Sequence, residues 1–508
     1  NLILEITAFN SRELYFDERE KNNLELHREL LFNFALLYAR DYNVAVNETA
    51  IRSAVEDVIE FERSLAEIRL SVVDEQVAGT FHPMTIGEAQ QRFPYIDWMR
   101  YFSLAVPRES FVTLTVNSTI NVNDVKYFEQ LGSLIEKTAT KTIVDLNMLH
   151  KGAAFGNSTN YERDINVTKT GCLLSVVGLL PHALTSLYIR KHYDESVLTD
   201  VAKLIANLYD AFHQSLSENT WMDVTTKNAA LDKLARMGRV VGFDAMQLSD
   251  EALEELYKDL ILDPSWSPFR KQLHVHTWKT NCSMSLTRKS DETAKHYLEV
   301  NAFHNWGTNQ IVVPISIVQS PVYEENTPLA LKYGGLGMII GHEITHGFDS
   351  KGSNYDQSGN LHNWWDAASR AEFDSRTQCV VQEYDGIEVP EAGNEKTSGQ
   401  LTLPENISDN GGLKVAYRAL QAARSEQQSV PLADYTDLSD EQTFFIRFAQ
   451  TWCAVGGPEQ VAASMRGDTH SPARVRVDIT ASNMPEFAQA FSCAPNTPMN
   501  PSHRCAVW

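Results

Sequence analysis

Two histidines four residues apart, His342 and His346, bracket Glu343 in the run HEITH. On a helix that spacing stacks both imidazoles on one face, close enough to share one cation. Zinc is well served by neutral imidazole, and a carboxylate beside it can take a proton from the water that zinc acidifies. His342 and His346 are therefore candidate zinc ligands, and Glu343 is a candidate general base. A catalytic zinc keeps three protein ligands and one open position, so a third ligand is needed. A third histidine six residues after the motif is excluded, because Gly352 stands there. Further along, Glu405 and Asp409 lie four apart in the run ENISDNGG and share one face of a second helix. Glu405 can supply the missing carboxylate ligand. Asp409 can accept the Nδ1–H of a ligating histidine, fixing its tautomer and raising its basicity. The implied chemistry is hydrolysis by a metal-activated water, with one zinc ion per chain. There is no GxSxG elbow to suggest a serine nucleophile, and the cysteines read as structural.

The elements that must position these groups are mostly helical. Asn47 is placed to cap a helix whose Ile51, Ala54, Val55, Val58, Phe61 and Leu65 recur at three-to-four spacing. Asp223 likewise precedes Ala229, Leu231, Leu234 and Met237, with the lysines of that stretch and Arg236 expected on its polar side. Residues 111–116 and 310–318 are the clearest strand-like runs. The most apolar stretch, 171–189, is broken by Pro181 and His182 and reads as a buried helix pair or turn, not a membrane span. A chain of 508 residues exceeds what one hydrophobic core supports, so two lobes are expected. Pro264, Trp266 and Pro268 mark a change of lobe, which we place at residues 1–255 and 256–508, an approximate boundary that allows interleaving.

Bulk properties narrow the partners. A formal net charge of −22 argues against nucleic acid and against anionic lipid, both of which need a basic face. Six cysteines (Cys172, Cys282, Cys379, Cys453, Cys493 and Cys505) lack zinc-finger spacing. Six sequons, at Asn47, Asn117, Asn157, Asn166, Asn281 and Asn406, join them in pointing to an extracellular compartment. Asn1 opens no signal-peptide pattern, so any targeting segment is expected upstream or already removed.

Several segments together resemble the neprilysin-type zinc metallopeptidases, the family that includes the endothelin-converting enzymes. They are VNAFHNWGTNQIVVP (300–314), YGGLGMIIGHEITHGFD (333–349), LPENISDNGGL (403–413), FAQTWC (448–453), DTHSPARVRV (468–477) and the terminal CAVW (505–508). The first half matches more thinly, through NTWMDVTTKNAAL (219–231).

The resemblance implies a mainly α, two-lobed zincin of the gluzincin kind. A thermolysin-like catalytic lobe and a helical cap lobe would enclose a central cavity that admits oligopeptides. It implies His342, His346 and Glu405 as zinc ligands, Glu343 as base and Asp409 behind the ligands. His470 would donate to the oxyanion that forms on the scissile carbonyl. Arg476 would bind a substrate carbonyl beyond the cleaved bond, and Asn301 and Ala302 would hold the peptide main chain. Ile317, Val322, Met338, Ile339 and Trp452 would wall a pocket for a hydrophobic residue just after that bond. Burying such a side chain is worth about 1.5–3 kcal/mol. The resulting activity would be that of a secreted or membrane-anchored ectodomain endopeptidase. The chain departs from the family at His304, where tyrosine is usual, and at Ser408, where alanine is usual; neither is expected to touch a ligand. Val322 is smaller than the aromatic residue expected there, which would enlarge the pocket. The family's cysteine-rich front segment has no counterpart here. Of the family's bridges, Cys379–Cys505 is the one expected to form, while Cys172, Cys453 and Cys493 would lack their partners.

Overall fold

The computed structural model describes residues 2–4, 12–41, 43–69, 82–105, 114–122, 124–156, 173, 176–192, 195–284, 297–426 and 437–508. They are mostly helical and divide by their contacts into two compact units, residues 1–186 with 249–295, and residues 187–248 with 296–508. The chain thus changes unit three times, where the sequence suggested a cut near 255/256.

In the first unit, helices α1 (Lys21–Asp41), α2 (Glu48–Ile68), α3 (Val125–Lys137) and α4 (Thr140–Gly156) carry one core. Asn47 caps α2 by accepting the N–H of Ala50 at 3.1 Å, as its position predicts. The inward stripe of α2, Val55, Val58, Ile59 and Phe61, buries against Leu31, Phe32 and Phe34 of α1 and Leu146 and Leu149 of α4. Strands β1 (Leu2–Leu4), β2 (Pro83–Thr85) and β3 (Thr119–Val122) form a sheet of order β1-β3-β2, parallel then antiparallel. The expected strand at 111–116 is not seen: residues 111–113 lie outside the described residues, and residues 115–118 form a turn closed by the Ser118 N–H on the Thr115 carbonyl. Among the described residues no helix is long and apolar enough to cross a membrane.

The second unit begins with α5 (Glu195–Glu218), α6 (Val224–Arg236) and β4 (Gly238–Gly242). Asp223 caps α6 by accepting the N–H groups of Thr225 and Thr226, each at 2.9 Å. Strand β6 (Gln310–Pro314) is central in a sheet of order β4-β6-β5, parallel to β4 and antiparallel to the edge strand β5 (Phe303–Asn305). The strand ends at Pro314, and a 3-10 turn, Ile315–Ile317, replaces the rest of the run expected to 318.

Helices α7 (Met338–His346), α8 (Ala367–Tyr384), α9 (Leu403–Glu426), α10 (Asp440–Thr451) and α11 (Ala473–Ser482) complete the unit. One core joins Leu204, Leu208 and Phe212 of α5, Ile311 and Val313 of β6, Ile340 and Ile344 of α7, Leu413 and Leu420 of α9, and Phe444 and Phe448 of α10. That shared burial is why 187–248 belongs with the HEITH helix. Helices α7 and α9 cross closely enough that a Cβ on Gly412 would lie 2.5 Å from the His342 nitrogen, so only glycine fits there.

Candidate metal centre and active site

Helix α7 sets His342 and His346 one turn apart, with ring centroids separated by 4.5 Å, and the crossing helix α9 brings Glu405 to both. Glu405 Oε2 lies 3.2 Å from His342 Nε2 and 3.4 Å from His346 Nε2. Each ring is held from behind by a carboxylate. His342 Nδ1 donates to Asp409 Oδ1 at 2.8 Å, and His346 Nδ1 donates to Asp349 Oδ2 at 2.6 Å. With the proton on Nδ1, the Nε2 lone pairs of the neutral rings are left for a ligand.

The fit to a cation can be judged from Glu405 Oε2. This oxygen is buried and close to three imidazole nitrogens, yet it makes no well-directed hydrogen bond to any of them. Its surroundings converge on a point instead of pairing with one another, which is the geometry of a donor set. Two imidazoles and one carboxylate are the ligand types that catalytic zinc takes. Electrostatics agree. Burial lowers the basicity of His342 and His346, but Glu405, Asp409 and Asp349 outweigh it and raise both. The same negative field favours a dication. Glu343 is buried on the same helix, and burial raises its carboxyl above the ordinary carboxylate range, the direction a base working near neutrality needs.

Two cationic side chains flank this cluster. His470 Nε2 lies 3.1 Å from Glu405 Oε2, and its Nδ1 lies 2.7 Å from Asp468 Oδ1. Burial opposes its charge, but Asp468 and Glu405 prevail and raise it to about 9. Its loop is pinned to α9 by Ser471 Oγ, which donates to Asn406 Oδ1 at 2.8 Å. Arg476 on α11 grips Asp409 with Nε and Nη2, each at 2.7 Å, and lies 3.6 Å over the Trp452 ring.

Residues 5–244 and 301–507 match two family models, both described as peptidase family M13. The chain is 31% identical to neprilysin-1 of Caenorhabditis elegans over 99% of its own length and 69% of that protein. It is 32% identical to human endothelin-converting enzyme 1 over 91% of its length and 62% of that protein. The chain belongs to peptidase family M13. Its fold matches the crystal structure of PEPO from Lactobacillus rhamnosis with a TM-score of 0.78 at 25% identity, covering all of this chain and 79% of that one. A zinc metalloprotease of Mycobacterium tuberculosis in complex with inhibitor gives a TM-score of 0.76 at 23% identity, covering 99% of this chain and 77% of that one. A mainly α zincin fold follows from these matches.

Other residues singled out in this M13 chain fall around the same helices. Ala302 is buried and Asn301 exposed just ahead of edge strand β5, which His304 fastens to α7 by donating from Nδ1 to the Glu343 carbonyl at 2.8 Å. Ile317 and Met338 are enclosed in the core, Met338 with no exposed surface, whereas Val322, Ile339 and Trp452 are only partly buried against it. Two expectations need correction. Ser408 does touch a candidate ligand: its Oγ is 3.0 Å from His346 Nδ1. It stands three residues after Glu405, hence on the same face of α9. Lys233, expected on the polar side of α6, is 2% exposed and points inward.

Asp349 was not picked out by the sequence reading, although its spacing of three from His346 on the helix-end turn was a usable signal. Cys379 and Cys505 form a disulfide with Cα atoms 5.7 Å apart, in the pairing the family resemblance implied, while Cys453 and Cys493 are free thiols. Cys172 and the side chain of Cys282 lie outside the described residues. Of the sequons, Asn47 and Asn117 are exposed, but Asn406 is fully buried and bonded to Thr402 and Ser471, which leaves no room for a glycan.

Proposed function

We propose that this chain is a zinc-dependent endopeptidase that cleaves oligopeptides on the N-terminal side of hydrophobic residues, in an extracellular setting. The observation that carries it is the buried Glu405 Oε2 meeting the Nε2 atoms of His342 and His346 at 3.2 and 3.4 Å while hydrogen-bonded to neither. His342, His346 and Glu405 would hold the ion. Zinc held there supplies a Lewis acid that lets water ionise near neutral pH.

The protein's own groups do the rest. Glu343 accepts the water's proton and later passes it to the leaving amine. His470, kept cationic by Asp468 and Glu405, donates to the carbonyl oxygen as it gains charge. Arg476 has committed Nε and one N–H of Nη2 to Asp409, so the N–H groups of Nη1 and the second of Nη2 are left to offer a peptide carbonyl. Asn301 and Ala302 would align the main chain beside β5. Val322, Ile339 and Trp452, with Ile317 and Met338 behind them, give the apolar surface that selects the residue after the scissile bond. The Cys379–Cys505 bridge and the exposed Asn47 and Asn117 sequons support an oxidising, secretory setting.

Mass spectrometry of a peptide mixture, with and without a chelator, tests the reading. Chelator-sensitive cleavage ahead of Phe, Leu or Met is expected, and Glu343→Gln should bind zinc while losing at least a hundredfold in kcat, about the worth of a positioned base. Full activity in that variant, or cleavage indifferent to chelator, would refute the assignment.

A further inference from the structure

We propose that Lys233 is a positioning residue of the metal centre, holding in place the turn whose Asp349 orients His346. The proposal rests on the zinc reading of His342, His346 and Glu405.

Lys233 sits on α6, is 2% exposed, and reaches the stretch after the HEITH helix. Its Nζ donates to the carbonyl oxygens of Gly347 at 2.6 Å, Gly352 at 2.7 Å and Tyr355 at 2.7 Å. Three acceptors use all three N–H groups of an ammonium; a neutral amine could serve only two. The Phe348 and Trp364 rings lie 5.4 and 5.8 Å from Nζ and add cation–π attraction. Burial pulls the amine down to about 7, against which Asp349 and Asp356 add nearby negative charge that favours the ammonium. Burying an ammonium is costly, and a core that needed only volume would be served as well by an apolar residue.

What the charge achieves is local. Gly347 ends α7, where its carbonyl is one of the acceptors no helix donor reaches and where a cation also meets the negative end of the helix dipole. Gly352 closes the next turn, folded back so tightly that a Cβ there would lie 1.9 Å from the His346 carbonyl oxygen. Between these two carbonyls sits Asp349. Its Oδ1 accepts the N–H groups of Lys351 and Gly352, and its Oδ2 holds His346 Nδ1. The ammonium therefore bridges both ends of the turn that aims Asp349, and through it the ring of a zinc ligand. Asn309 extends the clamp, its Nδ2 donating to the carbonyls of Lys233 and Gln357. None of these hydrogen bonds goes to a ligand's metal-facing atom or to a candidate substrate-binding residue.

The test is the rate at which zinc leaves the 508-residue chain to a chelator, measured for wild type, Lys233→Met, Lys233→Arg, Asp349→Asn and the two double variants. Both lysine variants are expected to release zinc ten- to a hundredfold faster, the range seen when groups behind metal ligands are removed. Adding Asp349→Asn should then cost less than about threefold more, because both changes break one linkage. Melting in excess zinc identifies the variants that keep the fold. If Lys233→Met does not accumulate, Lys233→Arg carries the test alone, because it keeps the charge but its planar guanidinium cannot direct three N–H groups from one nitrogen onto carbonyls that converge there. The proposal is overturned if a folded lysine variant releases zinc at the wild-type rate, or if the effects of Lys233 and Asp349 substitutions simply multiply. A wild-type chain that binds no zinc would instead overturn the metal assignment, and this proposal with it.

Discussion

Asp409 has no exposed surface, and its two oxygens serve His342 and Arg476 together. Burial would raise its carboxyl, but the Arg476 guanidinium overrides that and holds it at about 2, below the ordinary 3.8. A carboxylate depressed on folding contributes stability that is complete above its unfolded value and is lost as pH falls through the folded one. For Asp409 that window runs from near pH 4 down to about 2. In protein stripped of metal, urea unfolding should find Asp409→Asn less stable than wild type by about 2 kcal/mol at pH 6, with the gap closing between pH 4 and 2. A gap unchanged at pH 2 would mean that the pair contributes through shape alone. At this scale much of the candidate site was legible, because a spacing of four on a helix reports directly which side chains share a face: His342 with His346, Glu405 with Asp409. Ser408 was misjudged for want of the same rule at a spacing of three. Lys233 could not be read at all, since its acceptors are carbonyls more than a hundred residues away and backbone atoms leave no mark on the sequence.

Between elements, the decisive contact is the crossing of α7 and α9, where the candidate ligand atoms meet only because glycines let two backbones approach. A Cβ on Gly411 would lie 2.5 Å from Thr345 Cγ2, a side-chain atom, whereas one on Gly412 would meet the nitrogen and Cα of His342 at 2.5 and 2.8 Å, both backbone. The two glycines should therefore fail differently. Gly411→Ala is expected to cost about 1–3 kcal/mol by overpacking and to recover most of that when combined with Thr345→Ala. Gly412→Ala should push the helices apart, lower zinc affinity at least tenfold, and be rescued by no trimming of neighbours. Paired melting and zinc-affinity measurements check this; rescue of Gly412→Ala by Thr345→Ala would show that the crossing is looser than its backbone contacts require. The helices themselves were readable from their caps and apolar stripes, as Asn47 and Asp223 show. Their crossing was not, because the two glycines in the run ENISDNGG carry no side chain for periodicity to register.

Over the whole chain, helical content and a division into two units follow from length and periodicity, but the place of the division does not. Local composition put the change of lobe at Pro264–Pro268, where helix gives way to turn. Burial puts 187–248 with the catalytic helices instead, since Leu204, Leu208 and Phe212 share a core with Ile340, Ile344 and Leu413. Strand β4 adds to this by pairing with β6 from Gly238 to Gly242, and Lys233 by gripping the end of α7. A fragment of residues 256–508 would keep every candidate zinc ligand, yet it would expose that core, leave β6 with an unpaired edge and release the 347–355 turn. Exposed apolar core and a bare central strand favour aggregation over folding. Such a fragment is expected to be insoluble or to unfold without a cooperative transition. Residues 187–248 joined to 296–508 by a short linker, which restore α5, α6 and β4 and leave out the piece of the other unit, should give soluble protein that binds one equivalent of zinc. Circular dichroism through a urea series, read beside zinc content, separates the outcomes. A fragment starting at 256 that melts cooperatively and holds zinc as tightly as the full chain would mean that the earlier segment leans on the catalytic core without being part of it.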